Sequence, residues 1–469
     1  MRIYFLLLCL FFTLNGRSQD TIHPNIMLII SEGHGYNDIG IYGNIIVKTP
    51  FLDDLAKNGI KMINTFGASA CYDANMAALF TGLYGHASGQ YGPSGGNNHF
   101  SVFPETESLP QILKKSGYNT ALCGKIILEG NKAFSFDTII GSDIIERSVY
   151  EQTERCAPFI LKKDAKPFFL CFNMNDPDRS YSYSDEDSAK VDIFGNIDEG
   201  YSGILQKHYK PEKVIIPSFL PDIAGCRNEI AQYYEAITRM DLGIGRLIYW
   251  LKKSGKWNNT LIVYVSADVP AFPGIRNTFS DQGIRLPCII KLADNTNSGV
   301  DCMKFTSLID LLPTILDYSK VPFPKDKIHG KSLRLNIEQK QEYYDDEIFV
   351  SQSFTDITLY YPMRMIRTKQ YKLIWNCVWQ LTYPMSNALK SSSTWNGILN
   401  YHKSIGGKQF ETFFHKPEFE LYDIKSDPNE SVNLIFDKGN EAIINKLKAI
   451  IEGYMISTGD PWITRWNNK

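Results

Sequence analysis

The sequence predicts an α/β protein: a large, mostly parallel β-sheet flanked by helices, with a smaller C-terminal α+β domain. Three observations carry this expectation. The runs Asn25 to Ile30 and Thr260 to Ser266 are continuously apolar and of strand length, as strands buried on both faces are. Amphipathic segments bounded by helix start and stop signals lie between such runs, the alternation that builds a parallel sheet. Past about residue 345 the pattern shifts to shorter strands separated by polar turns. A chain of 469 residues has room for both parts. The expected division is a leader over 1–18, an α/β domain over 19–345 and a C-terminal domain over 346–469.

Taken in order, Met1-Arg2, the apolar stretch Ile3 to Leu14 and Gly16-Arg17-Ser18 have the layout of a secretory signal peptide, which predicts export to a periplasm or the extracellular space. The apolar stretch is too short to favour a membrane span. Cys9 follows three leucines rather than small residues, which argues against a lipid anchor. Thr49-Pro50 opens a helix with Thr49 as cap and Pro50 in the first turn. Leu52, Leu55 and Ala56 form its apolar face and Gly59 its stop. A second helix is predicted near Leu109 to Lys115, ended by Gly117. Strands are predicted at Asn119 to Cys123 and Pro167 to Phe172. A long helix spans about Asn228 to Lys253, with Ile230, Tyr234, Ile237, Ile244, Leu247 and Leu251 at helical spacing. In the C-terminal part, Met363 to Arg367 and Tyr371 to Trp375 read as a hairpin. A Ser/Asn/Gly-rich region follows from Ser386 to about Lys408. An amphipathic helix spans Asn440 to Met455, with Ala442, Ile443, Leu447, Ile450 and Ile451 on one side. Sites in such sheets form at the carboxyl ends of the strands, so the loops after Ile30, Cys123, Phe172 and Ser266 are where chemistry is sought.

Composition narrows the partners. Hydrophobic residues make up 43% and charged residues 21%, and the formal net charge of −2 gives no pull toward nucleic acid or an anionic membrane. Eight cysteines remain beyond Cys9, without metal-type spacing. In an exported protein they form one or two disulfides or stay as buried thiols, and the sequence leaves both open.

The stretch Asn64 to Gly82 (NTFGASACYDANMAALFTG) is the most informative segment. With Pro24-Asn-Ile-Met-Leu-Ile-Ile30, Gly35-Tyr36, Lys48-Thr49-Pro50, Gly124-Lys125, Arg239-Met-Asp241 and Gly283-Ile-Arg-Leu-Pro287, it resembles the sulfatase family of the alkaline-phosphatase-like superfamily. Glu420-Leu-Tyr-Asp423 matches that family's C-terminal signature. Tyr361-Pro-Met-Arg364, Ser351-Gln352-Ser353 and Asp460-Pro461-Trp462 resemble its heparan N-sulfatase (N-sulfoglucosamine sulfohydrolase) branch. The resemblance implies Ca²⁺ held by four Asp/Asn side chains, a formylglycine nucleophile made from a motif cysteine, and Lys, Arg and His groups around the sulfate.

The residues present depart from that set. The family's nucleophile position falls on Tyr72, its Pro/Ala position on Ala74 and its Arg position on Met76, while Cys71 lies one residue early. The Asp-Asp pair after the first strand aligns with Glu32-Gly33, and the later Asp-Asn with Ala267-Asp268. Glu32 and Asp268 are therefore the candidate metal ligands, an incomplete set for a cation that takes six to eight oxygens. The family histidines align with Ile127, Asn175, Asp178, Phe354 and Thr355. Lys125 and Arg276 match anion-binding positions, and Arg179 follows the Asn175–Asp178 segment. Catalysis, if present, would fall to Tyr72 and Lys125, and substrate binding to Lys125, Arg276 and Arg179. Weak or absent calcium and no formylglycine are expected.

Three functions follow. The first is an exported, degenerate sulfatase that binds sulfated, heparan-like glycan without turnover. The second is an active sulfuric ester or sulfamate hydrolase with a rebuilt metal site. The third is a structural protein whose pocket is filled by Ile126, Ile127 and Met76.

Overall fold

The computed structural model describes residues 23–125, 132–144, 147–179, 191–338, 346–401 and 404–468. The expected leader over 1–18 and the pair Ile126 and Ile127 lie outside the described residues. Eight strands form the large sheet: β1 (Asn25–Glu32), β2 (Ile60–Phe66), β3 (Asn119–Gly124), β4 (Thr138–Ile140), β5 (Phe168–Pro177), β6 (Thr260–Ser266), β7 (Arg285–Lys291) and β8 (Val300–Ser307). Their order is β4-β3-β5-β1-β6-β7-β2-β8. Neighbours run parallel except at β7, which is antiparallel to both β6 and β2. The sheet is therefore mixed. No long crossover helix lies between β6 and β7, so the chain turns back at the end where it left the sheet and returns in the opposite sense.

Every residue of β1 and β6 is buried, which explains their unbroken apolar runs. Helix Val149–Leu161 and α1 (Pro50–Lys57) pack against the long helix Ala224–Lys253, which begins one turn earlier than the sequence suggested. Helix α2 (Tyr72–Thr81) packs with Leu109–Lys115 and Leu311–Tyr318. Thr49 sits at the N-cap of α1, but its hydroxyl bonds Asp53 rather than the free amides. The Asp241 carboxylate on the long helix accepts from Phe51 N at 3.1 Å and Leu52 N at 2.8 Å instead. Asn58, not Gly59, is the C-cap. Gly59 is required for another reason: a Cβ there would lie 2.8 Å from the Ile290 carbonyl.

The smaller sheet is antiparallel, in the order β12-β11-β10-β9, with β9 (Glu347–Phe354), β10 (Tyr360–Thr368), β11 (Tyr371–Asn376) and β12 (Phe419–Asp423). β10 and β11 form the expected hairpin. The Ser/Asn/Gly-rich region folds into helices Asn387–Lys390 and Ser393–Asn400, which bury Trp395 and Ile398. The last long helix, Glu441–Ser457, buries Ile444, Leu447, Ile451 and Met455, while Ala442 is exposed, so its apolar face is rotated from the expected one. Phe66, Phe279 and Phe305 share a core with Val350, Met363 and Tyr422, and this joins the two sheets. The cysteines of the described residues are all buried free thiols. No described helix is long and apolar enough to cross a membrane.

Candidate functional site

The carboxyl ends of β1, β3, β5 and β6 meet the N-terminus of α2, as strand-end logic anticipates. The ends of β1, β3 and β6 and the start of α2 line an open cleft of about 570 Å³. Glu32, Tyr72, Asp73, Lys125, Asp268 and Arg276 line it, together with Asn98, Asp356, Thr358, Asn387 and Lys390. Met76, expected as a possible plug, points instead into the main core.

Tyr72 occupies the first turn of α2, and Cys71 is its N-cap. The Asn173 amide donates to the Tyr72 hydroxyl at 3.1 Å, and the Lys125 ammonium sits 4.3 Å from the centre of the Tyr72 ring. Burial raises the phenol well above its ordinary range, with Lys125 opposing. Tyr72 therefore stays a neutral phenol beside an amide, which is no base. The thiol of Cys71, 4% exposed, is pushed up to about 12, first by burial and then by Asp73. His34 bonds Tyr264 and the Asp38 carbonyl, and His86 bonds Ser351 and Thr458, so neither faces Tyr72 or Cys71 as a base. Asp73 anchors the neighbouring loop by accepting from Ser94 N and Oγ, both at 2.6 Å.

Glu32 and Asp268 are brought to one end of the cleft, each already engaged by a cation. Lys125 Nζ donates to Glu32 Oε2 at 2.7 Å. Arg276 donates through Nη1 to Asp268 and through Nη2 to Asp178. Burial, reinforced by Asp178 and opposed by Lys125 and Arg276, raises the Glu32 carboxyl to about 7. Burial also raises Asp268 to about 6, against Arg276. Burial alone would lower Lys125, but the facing Glu32 more than reverses this and keeps the ammonium charged.

A calcium site of the kind the resemblance implies does not fit these residues. The hard oxygens it would use are spent on Lys125 and Arg276. Among the described residues no three His, Cys, Asp or Glu side chains are grouped to hold a metal. Arg179 is not brought to the cleft. It is buried, paired with Glu229 at 2.9 Å, and lies over the rings of Phe194 and Phe272. Glu229 in turn accepts from Ser393 and Thr394, so this pair fastens the long helix to the C-terminal part.

Sequence reasoning missed Asp178 as a partner of Arg276, Asn173 as the partner of Tyr72, and Lys390 on the wall. Only Lys390 carried a local signal, as a cation set within a Ser/Asn-rich stretch.

The sulfatase family model matches residues 24–321. The chain belongs to the sulfatase family. The model of the N-sulphoglucosamine sulphohydrolase C-terminal region matches residues 276–389. The chain is 28% identical to the N-sulphoglucosamine sulphohydrolase of Homo sapiens over 460 residues, covering 94% of this chain and 91% of that protein. It is 26% identical to an ulvan-active sulfatase of Formosa agariphila, covering 93% and 81%. Among solved structures, BT4656 in complex with its substrate D-glucosamine-2-N,6-O-disulfate superposes with a TM-score of 0.69 at 19% identity, covering 94% of this chain and 99% of that one. That likeness establishes the fold. The chemistry depends on the cleft residues.

Proposed function

We propose that this sulfatase-family protein binds a sulfated, heparan-like glycan in the cleft and does not hydrolyse it by the family's reaction. The observation that carries the reading is the state of Tyr72: at the nucleophile position stands a half-buried, neutral phenol whose hydroxyl meets an amide and no base. The cleft itself remains open, which favours binding over a purely structural role. Lys125, with a third of its side chain exposed, and the exposed Lys390 are the cations offered to a sulfate. Asn98, Thr358, Ser386 and Asn387 offer hydrogen bonds to sugar hydroxyls. Acidic groups on the same wall limit the attraction, so recognition rests on specific contacts more than on a broad positive field. We also propose export, on the leader-like start Met1 to Ser18.

The test uses the purified chain with heparan-type oligosaccharides, following sulfate release and, separately, binding by calorimetry. Saturable binding without release supports the proposal. Sulfate release that is lost in Tyr72→Phe establishes instead the active sulfatase with a rebuilt site. Absence of binding to any sulfated oligosaccharide removes the glycan reading.

A further inference from the structure

The carboxylates at the ends of β5 and β6 flank a cation that the chain supplies itself. Arg276 enters from the loop between β6 and β7 and bridges Asp178 and Asp268. The three side chains are 5%, 3% and 4% exposed, so solvent does little to screen them. A planar guanidinium presents forked donors and can serve two carboxylates at once, which an ammonium on a single point does less well.

Asp178 reaches this position because Gly33 has no side chain. With φ +77, Gly33 is also in a backbone region that favours glycine, and a Cβ there would lie 2.7 Å from Asp178 Oδ1. Position 33 aligns with the second aspartate of the family pattern. The carboxylate missing after β1 is thus replaced, in nearly the same space, by one arriving from the turn after β5. That turn is rigidly held. Arg147 donates to the Asp178 carbonyl at 2.9 Å and to the neighbouring Asp176 at 2.6 Å, and Arg239 bonds Asp176 at 2.7 and 2.8 Å. Asp268 is fixed by accepting from Val269 N at 2.8 Å. The carboxylates are positioned before Arg276 is considered, and without a cation between them they would be buried like charges.

We propose that Arg276 is the resident cation of this centre: its guanidinium holds Asp178 and Asp268 together where the family pattern places a divalent ion, and the protein folds without calcium. Lys125 plays the matching part for Glu32. The inference concerns the folded chain alone and stands apart from the glycan reading.

The purified wild-type chain is analysed for calcium and melted with millimolar CaCl₂ and with EDTA. The expected result is no stoichiometric calcium and one melting temperature under both conditions. Arg276→Ala is expected to melt lower by on the order of 5 °C, to rise with CaCl₂ and to fall back with EDTA. Stoichiometric calcium in the wild type, a drop of its melting temperature in EDTA, or an Arg276→Ala protein that ignores calcium overturns the proposal. Should Arg276→Ala fail to fold, Arg276→Gln is read in the same way, because a neutral amide leaves both carboxylates for calcium to recruit. Loss of oligosaccharide binding by a calcium-insensitive wild type counts against the glycan reading and leaves this one intact.

Discussion

Lys125 is the residue on which ligand binding should turn. Its ammonium is anchored by Glu32 at 2.7 Å and by the Tyr72 ring, yet a third of the side chain faces the cleft. A sulfate approaching it would gain a charge-assisted hydrogen bond worth about 1.5–3 kcal/mol. Lys125→Met is therefore expected to weaken a sulfated oligosaccharide about 10- to 100-fold and its desulfated counterpart much less. Lys390→Met, at an exposed wall position, should cost only about threefold, as screened surface charges do. Calorimetry on the sulfated and desulfated pair reads both, and equal losses on the two ligands would sink the assigned role. Part of this site was legible from sequence. The flanks of the Asn64 to Gly82 segment place Tyr72 without a gap, and strand ends place Glu32 and Asp268. The pairing of Arg276 with Asp178 was not legible, because the two are 98 positions apart and meet only after two loops fold. Arg179 follows Asp178 in the chain, but successive residues leaving a strand point to opposite sides. It therefore finds Glu229 rather than the cleft.

At the level of elements, the second sheet is fastened to the first by buried charge as well as by shared apolar core. Lys372 on β11 is fully buried and meets Asp281, in the short helix before β7, at 2.6 Å and Glu430 at 2.8 Å. Arg367 on β10 adds a contact to Asp281 at 3.0 Å. Burial acts to raise Asp281, but Lys372 and Arg367 override it and hold the carboxyl well below the usual range. Lys372→Met strands the buried Glu430 carboxylate and leaves Asp281 with Arg367 alone, and about 3–5 kcal/mol of stability should be lost. Adding Glu430→Gln should return part of it, since one stranded charge becomes a neutral amide. Urea unfolding of the single and double variants checks this, and a double variant no more stable than Lys372→Met would show that Glu430 is not strained by the loss. The strands that carry these residues were readable as apolar runs. The reversed direction of β7 was not, because a buried strand has the same composition whichever way it runs.

For the molecule as a whole, the joint between the two sheets should be sensitive to acid. His86 lies in the short helix after α2 and bonds Ser351 on β9 at 3.2 Å and Thr458, just past the terminal helix, at 2.9 Å. It stacks on Tyr84 and lies edge-on to Phe349, so one ring touches three parts of the fold. Burial lowers its pKa to about 3, even with the Asp460 carboxylate 3.6 Å away. The lowering wins because Arg364 and His329 oppose protonation and Asp460 is already taken by Arg364. A histidine lowered in the folded state binds its proton more readily in the unfolded state. Its stabilising contribution is present above the unfolded value of about 6.5 and is lost as pH falls from there toward about 3. Between about pH 7 and about pH 5 the loss amounts to about 2 kcal/mol. Buried carboxylates with raised values, such as Asp241 and Asp310, work in the opposite direction, so the wild-type profile alone cannot isolate the histidine. The stability difference between wild type and His86→Gln does isolate it. That difference should shift by about 2 kcal/mol against the wild type between those two pH values, as measured by urea unfolding at each. A difference that stays constant would mean that His86 takes up its proton in the folded protein without disturbing the joint.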